Sequence, residues 1–206
     1  MLSKKLLKYL AGSKVKHEVM AHKTVYTAYD AAQTMKMKLN EIAKSLLVKF
    51  NKPFINGEKP YAIAIVGADK NIDLKKLKKV VSDAAIQLNK ELRFRKLEKG
   101  KKVVLDIYNK VAKVIIPKEK ELKSKLKVKP GAIAAFGTMY KLPVFIDKDF
   151  LKNKTAVFAG DSFIQSVKML ANDFYQLEKA FVGKFSAPKK IKRTLASLSL
   201  RRSGKK

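Results

Sequence analysis

The sequence predicts one mixed α/β domain, of the α+β kind, followed by a basic tail. Three observations carry that prediction. Short strand-like runs are mixed irregularly with helical runs, unlike the regular alternation of a doubly wound sheet. At 206 residues, 47% apolar and 31% charged, the chain has material for one core and is too apolar for wholesale disorder. From Lys184 to Lys206 there are nine basic residues and no acids. The expected domain therefore covers residues 1–183, and residues 184–206 form a mobile basic tail with no core of its own. Leu195, Leu198 and Leu200 leave room for a helix formed on a partner.

The elements follow in order. Leu2, Leu6, Leu7 and Leu10 share one face of a short amphipathic helix that Gly12 ends. That apolar run is too short for a secretory leader, and no A-x-A site follows. Lys14 to Lys23 alternates as a strand. Thr27 and Asp30 are spaced as a capping box for a helix running to Met35. Asn40 is placed to cap Glu41 to Lys44, after which Ser45 to Phe50 reads as a strand, with Lys44 at the junction. The turn residues Pro53, Asn56-Gly57 and Pro60 join it to Tyr61–Gly67 as a buried antiparallel pair. Asn71 to Leu74 opens a lysine-studded helix whose apolar positions are Leu74, Leu77, Val80, Val81 and Ala84. Residues 93–113 form a basic insertion around Gly100. Val114 to Ile116 reads as a short strand, Pro117 to Leu126 as a charged helix, and Pro143–Asp147 and Thr155–Gly160 as two more strands. Met169, Leu170, Phe174 and Leu177 mark a final helix from Val167 to Ala180.

Charge is the dominant compositional signal. There are 47 Lys and Arg against 17 Asp and Glu, a formal charge of +30, and only five of the cations are arginine. A polyanion is the expected partner. Lysine suits phosphate contacts, whereas reading base edges falls more often to arginine. The competing account is a lysine-rich composition that merely coats the surface. No run approaches the ~20 apolar residues of a membrane span. The absence of cysteine removes disulfides, thiolate nucleophiles and Cys-based metal sites, and fits an intracellular, cytoplasmic setting. Two histidines, His17 and His22, without HExxH or HxH spacing, predict no metal site. No GxGxxG, GxxxxGK[ST] or GxSxG occurs, so dinucleotide, P-loop and serine-hydrolase chemistry lack their residues. No cofactor is expected.

Thr27-Ala28-Tyr29-Asp30-Ala31-Ala32, Ile42-Ala43-Lys44-Ser45-Leu46-Leu47-Val48, Pro130-Gly131-Ala132-Ile133-Ala134-Ala135-Phe136-Gly137 and Leu142-Pro143-Val144-Phe145-Ile146-Asp147 together resemble the ordered signatures of the YbaK/ProX-type aminoacyl-tRNA deacylases. These are relatives of the prolyl-tRNA synthetase editing domain. The resemblance runs co-linearly from about Leu2 to Asp173. It implies a curved mixed sheet with surrounding helices and hydrolysis of the ester on a mischarged tRNA, with alanyl- and cysteinyl-tRNA(Pro) as candidate substrates. It also implies that Lys44 is the residue on which activity depends, and that the glycine loop, with Gly131, Ala132, Phe136 and Gly137, lines the amino-acid pocket.

An ammonium beside an ester can stabilise the developing oxyanion, while water or a group of the substrate attacks. Asp147 and Gly160 are further candidate substrate contacts, each also readable as an ordinary turn residue. Lys189, Lys190, Lys192, Arg193, Arg201 and Arg202 are candidate phosphate contacts to tRNA, and an aminoacyl-tRNA synthetase is a candidate partner. His22, near the capped helix, is in a position to face the pocket but reads first as a partly exposed strand histidine, and is not counted among the catalytic residues. Where the family commonly has Ser-Pro or Pro-Pro before Phe-Gly, this chain has Ala134-Ala135. The alternative is therefore a noncatalytic RNA-binding protein that retains the deacylase fold.

Overall fold

The computed structural model describes residues 1–98, 107–121 and 133–189. Its helices are α1 (Lys4–Gly12), α2 (Ala28–Thr34), α3 (Leu74–Glu98), the single turn α4 (Glu119–Glu121) and α5 (Ala171–Glu178). Its strands are β1 (His17–Ala21), β2 (Ala43–Phe50), β3 (Tyr61–Gly67), β4 (Lys70–Ile72), β5 (Val114–Ile115), β6 (Val144–Asp147), β7 (Thr155–Ala159), β8 (Gln165–Leu170), β9 (Phe181–Gly183) and β10 (Ser186–Pro188).

β3 is buried at every position because it is the middle strand of a five-stranded mixed sheet, in the order β5-β2-β3-β6-β9. The expected β2–β3 pair is antiparallel, from Ala43 opposite Gly67 to Lys49 opposite Tyr61, and β6 and β9 continue the sheet in parallel. Side chains alternate across the strand, so β3 feeds two cores. Ile63 and Ile65 enter a core with Leu6 and Leu10 of α1 and Phe174 of α5, whereas Ala62, Ala64 and Val66 face Leu77, Val81 and Ala85 of α3. A three-stranded antiparallel sheet, β1-β8-β7, lies beside this one, and a parallel bridge from Ile42 to Val157 links them. β10 pairs with β4.

Four expectations are corrected. The final helix does not begin at Val167: residues 165–170 form β8, inserted between β1 and β7, and only Ala171–Glu178 is helical. Val167 and Met169 are buried on one face in strand alternation, so cross-strand pairing decides an ambiguous pattern. Asn40 caps no helix through Lys44, because a 3-10 turn occupies Leu39–Glu41 and Lys44 lies inside β2. Leu7 is exposed, while Leu2, Leu6 and Leu10 are buried. Residues 184–188 are not tail: Phe185 is fully buried and β10 is hydrogen-bonded into the fold. Residues 93–98 of the expected insertion continue α3, while residues 99–106, residues 122–126 of the expected Pro117 to Leu126 helix and the tail from Lys190 onward lie outside the described residues.

One buried carboxylate ties α1 to α5. Glu178, 5% exposed, accepts hydrogen bonds from the Tyr9 hydroxyl at 2.7 Å and the Thr138 N–H at 2.9 Å. Burial nevertheless raises its pKa above the ordinary carboxylate range. The folded chain therefore holds its proton at pH values where the unfolded chain, titrating near ~4.3, has lost it. Its contribution falls as pH rises through that interval. Urea titrations at successive pH values should show this decline, and Glu178→Gln should remove it.

Candidate functional site

Between the bridge at Ile42 and the pairing of Lys49 with Ile115, no described strand covers the outer edge of β2. A cavity of about 460 Å³ opens against that edge, within the range typical of small-ligand sites. Ile42 to Leu47 all line it in unbroken succession. A strand face would contribute alternate residues, so the cavity sees β2 edge-on and meets backbone N–H and C=O groups as well as side chains. Val25 to Tyr29 and Ala31 form a second wall, Val157, Ala159 and Gly160 a third, and Ile116, Pro117, Ile133 and Lys189 lie at its margins. No Asp or Glu is among the described lining residues, whereas two lysines are.

Lys44 is half-buried, and its Nζ donates to Asn71 Oδ1 at 2.9 Å and to the Lys70 carbonyl at 3.4 Å. Burial, and secondarily the charge of Lys189, pull its pKa below the usual lysine range. Next to it, Ser45 Oγ is buried with no hydrogen-bond partner among the described residues, a polar group on the cavity's strand edge. On the β8 side, Ser166 Oγ lies 2.9 Å from His22 Nε2, and His22 Nδ1 lies 2.8 Å from the Lys23 carbonyl. A carbonyl only accepts, so Nδ1 carries a proton; in the neutral ring Nε2 is then the acceptor for the Ser166 hydroxyl. The cavity is thus lined by a half-buried cation, the Ser45 hydroxyl and the Ser166 hydroxyl, the last hydrogen-bonded to His22 behind it.

The capping box holds the α2 wall. Thr27 Oγ1 accepts from the Asp30 N–H, and Asp30 Oδ2 accepts from the Thr27 N–H, both at 3.1 Å. Backbone bonds from His22 and Val25 to Ile164 and Phe163 fasten the segment before it to the chain that leads into β8.

Of the expected site residues, the structure brings Lys44, Gly160 and Lys189 to the cavity. Gly160 must be small: a Cβ there would collide with Leu2. Phe136, fully buried, packs on Tyr9, Phe158 and Phe174 in the core and does not line the cavity. Gly137 is a packing glycine, whose Cβ would lie 2.5 Å from Val144 and 2.7 Å from the Leu142 carbonyl. Asp147, 1% exposed, is occupied elsewhere, accepting from the N–H groups of Asp149, Phe185 and Ser186 and from the Ser186 hydroxyl. Gly131, Ala132, Lys190, Lys192, Arg193, Arg201 and Arg202 lie outside the described residues. Ala134 and Ala135, where the chain departs from the family pattern, are fully buried core residues, and among the described residues of that stretch Ile133 alone reaches the cavity.

Sequence reasoning missed Ser45, Ser166, Tyr26 and Tyr29 as site residues. For the tyrosines a signal was present, since Tyr26 precedes the capping box and Tyr29 lies within it. Among the described residues no group of three His, Cys, Asp or Glu side chains is placed to hold a metal, and no helix is long and apolar enough to cross a membrane.

The mixed α/β fold is shared with known structures. The family model described as the aminoacyl-tRNA editing domain matches residues 22–102, which include α2, Lys44 and the β2–β3 pair. That stretch of the chain is similar to the editing domain. A crystal structure of a hypothetical protein is 14% identical, with a TM-score of 0.65, covering 89% of this chain and 100% of its own. A protein described as a candidate trans-editing enzyme for prolyl-tRNA synthetase is 17% identical with a TM-score of 0.63, covering 91% and 99%. A scaffold used for computational epitope grafting is 16% identical with a TM-score of 0.64, covering 89% and 96%. At these identities the shared property is the fold. No curated protein matches the sequence.

Proposed function

We propose that this protein is a trans-editing aminoacyl-tRNA deacylase, hydrolysing the ester between a wrong amino acid and the 3′ end of a tRNA. The observation that carries the reading is Lys44: a half-buried ammonium in a cavity with no described carboxylate, within the stretch that matches the editing-domain family. An anionic or carbonyl-bearing ligand meets a fixed cation there, where low polarity makes the interaction stronger than in water. In this reading the ester carbonyl lies toward Lys44, whose N–H groups stabilise the oxyanion as water adds to the carbon. The bond to the 3′ oxygen then breaks. The proton leaving the water passes to His22 through Ser166 and returns to the departing oxygen.

Ile133 supports placing the glycine loop, including Gly131 and Ala132, at the same cavity, since it lines the wall immediately after them. A second, small site of this kind removes errors that a synthetase cannot reject by a methylene's difference in binding. The tRNA body is held through phosphates by Lys189 and by the further cations Lys190, Lys192, Arg193, Arg201 and Arg202 of the tail. The cytoplasm and the neighbourhood of a synthetase are the setting this activity requires.

The test is release of amino acid from a panel of mischarged tRNAs that includes alanyl- and cysteinyl-tRNA(Pro). Turnover of at least one member is expected, with the correctly charged prolyl-tRNA spared. Binding of the whole panel without turnover of any member would replace this reading with that of a noncatalytic RNA-binding protein.

A further inference from the structure

Two large aromatic side chains stand open at the cavity rim. Tyr26 is 69% exposed and Tyr29 49% exposed, and both line the cavity. Their placement is built: Tyr26 is backed by the ring of Phe163 at 5.3 Å, and the Thr27–Asp30 capping box, which follows Tyr26 and encloses Tyr29, fixes the backbone that carries them. Lys189 Nζ lies 5.9 Å from the centroid of the Tyr29 ring. Asp30, the nearest acid in sequence, has its carboxylate engaged by the Thr27 N–H. Exposed aromatic faces interleaved with cations are what unpaired nucleotides require, because every base has a face to stack and every linkage a phosphate to neutralise. A duplex keeps its base faces covered and cannot use such rings.

We infer that Tyr26, Tyr29 and Lys189 form the docking platform for the unpaired 3′ end of an RNA, stacking its last bases at the cavity mouth. The inference rests on the deacylase reading for the identity of that RNA and adds the residues that hold its end. Tyr26 and Tyr29 carry the stacking, and Lys189 contacts a phosphate.

The experiment is fluorescence anisotropy with two labelled RNA hairpins, one ending in unpaired CCA and one blunt, titrated with wild type, Tyr26→Ala, Tyr29→Ala, Tyr29→Phe and Lys189→Gln. Wild type should bind the CCA hairpin more tightly. Each Tyr→Ala change should weaken that binding by about 5- to 100-fold and leave the blunt hairpin unchanged, while Tyr29→Phe retains it. Lys189→Gln should reduce the slope of log affinity against log salt by about 0.7. The tyrosines are exposed, so the variants should fold, and their melting curves check this. Equal affinity of wild type for the two hairpins, or Tyr→Ala variants indistinguishable from wild type on the CCA hairpin, would overturn the platform. Tyrosine-dependent CCA binding without release of any amino acid would keep the platform and sink the deacylase reading. Turnover that survives both Tyr→Ala changes with unchanged KM would do the reverse.

Discussion

Replacing Lys44 by alanine is expected to lower kcat for deacylation by at least ~100-fold, with tRNA affinity within a few fold of wild type. The magnitude follows from losing one preorganised donor to a developing oxyanion, which costs about 10²–10³ in rate. Affinity is spared because Lys44 is one cation among many on a chain of net charge +30. The fold should tolerate the change, since the ammonium's described hydrogen bonds are to Asn71 Oδ1 and the Lys70 carbonyl, both in the short strand β4. Lys44→Arg should recover little, because a planar fork does not reproduce a compact ammonium in a confined cavity.

The lowered pKa adds a pH signature. Lys44 loses its proton as pH rises through a value below the ordinary lysine range, and the part of the rate that depends on it should fall there. Between that value and ~10.4 the unfolded chain binds the extra proton, so this group's contribution to stability rises with pH in the same window. Lys189→Gln should move the Lys44 titration upward, read by NMR of labelled lysine side chains, because it removes a neighbouring positive charge. Single-turnover rates on an aminoacyl-tRNA that the wild type hydrolyses, set beside binding of uncharged tRNA, test the main claim. Equal rates for Lys44→Ala and wild type would end it.

Asp147→Asn is expected to cost about 2–6 kcal/mol of stability. The carboxylate at the end of β6 receives four hydrogen bonds from donors on two segments: Asp149 N–H at 3.0 Å, Phe185 N–H and Ser186 N–H at 2.7 Å each, and the Ser186 hydroxyl at 3.1 Å. An amide has a single acceptor oxygen and would point its NH₂ at N–H groups. Two buried donors are then left unmet, at about 1–3 kcal/mol each. The loss is directional, because those donors begin the segment that becomes β10 and leads to Lys189. Urea denaturation should report the lower stability. Hydrogen exchange should report faster exchange at Ser186 and Ala187 than at the amides of β3. Unchanged exchange across β10 would show that pairing with β4 alone holds this segment, and that Asp147 is dispensable to it.

Much of this molecule is written locally. The Tyr61–Gly67 run is apolar at nearly every position, and with Asn56-Gly57 before it the β2–β3 pair follows from composition and turn chemistry. The Thr27 and Asp30 box is legible because its partners are three residues apart. Residues 165–170 show the limit: Val167, Met169 and Leu170 fit a helix or a strand. The choice belongs to β1, whose register places Met20 opposite Ser166, nearly the length of the chain away. Phe185 is hidden for a related reason. In sequence it is one aromatic in a basic run, while in space it fills the core between β3 and α3. Phe136, Gly137 and Asp147 read as pocket residues because small, aromatic and acidic side chains near a turn look alike whether they pack, cap or bind.

The sequence by itself determined the mixed fold, the polyanion-seeking charge and the strand that carries Lys44, because periodicity, composition and turn residues act over a few neighbours. Only the tertiary structure decided the cavity. Its walls come from residues 25–31, 42–47, 68, 116–117, 133, 157–166 and 189, and no local pattern records that the open edge of β2 would be faced by the Ser166 hydroxyl, two tyrosines and a second lysine.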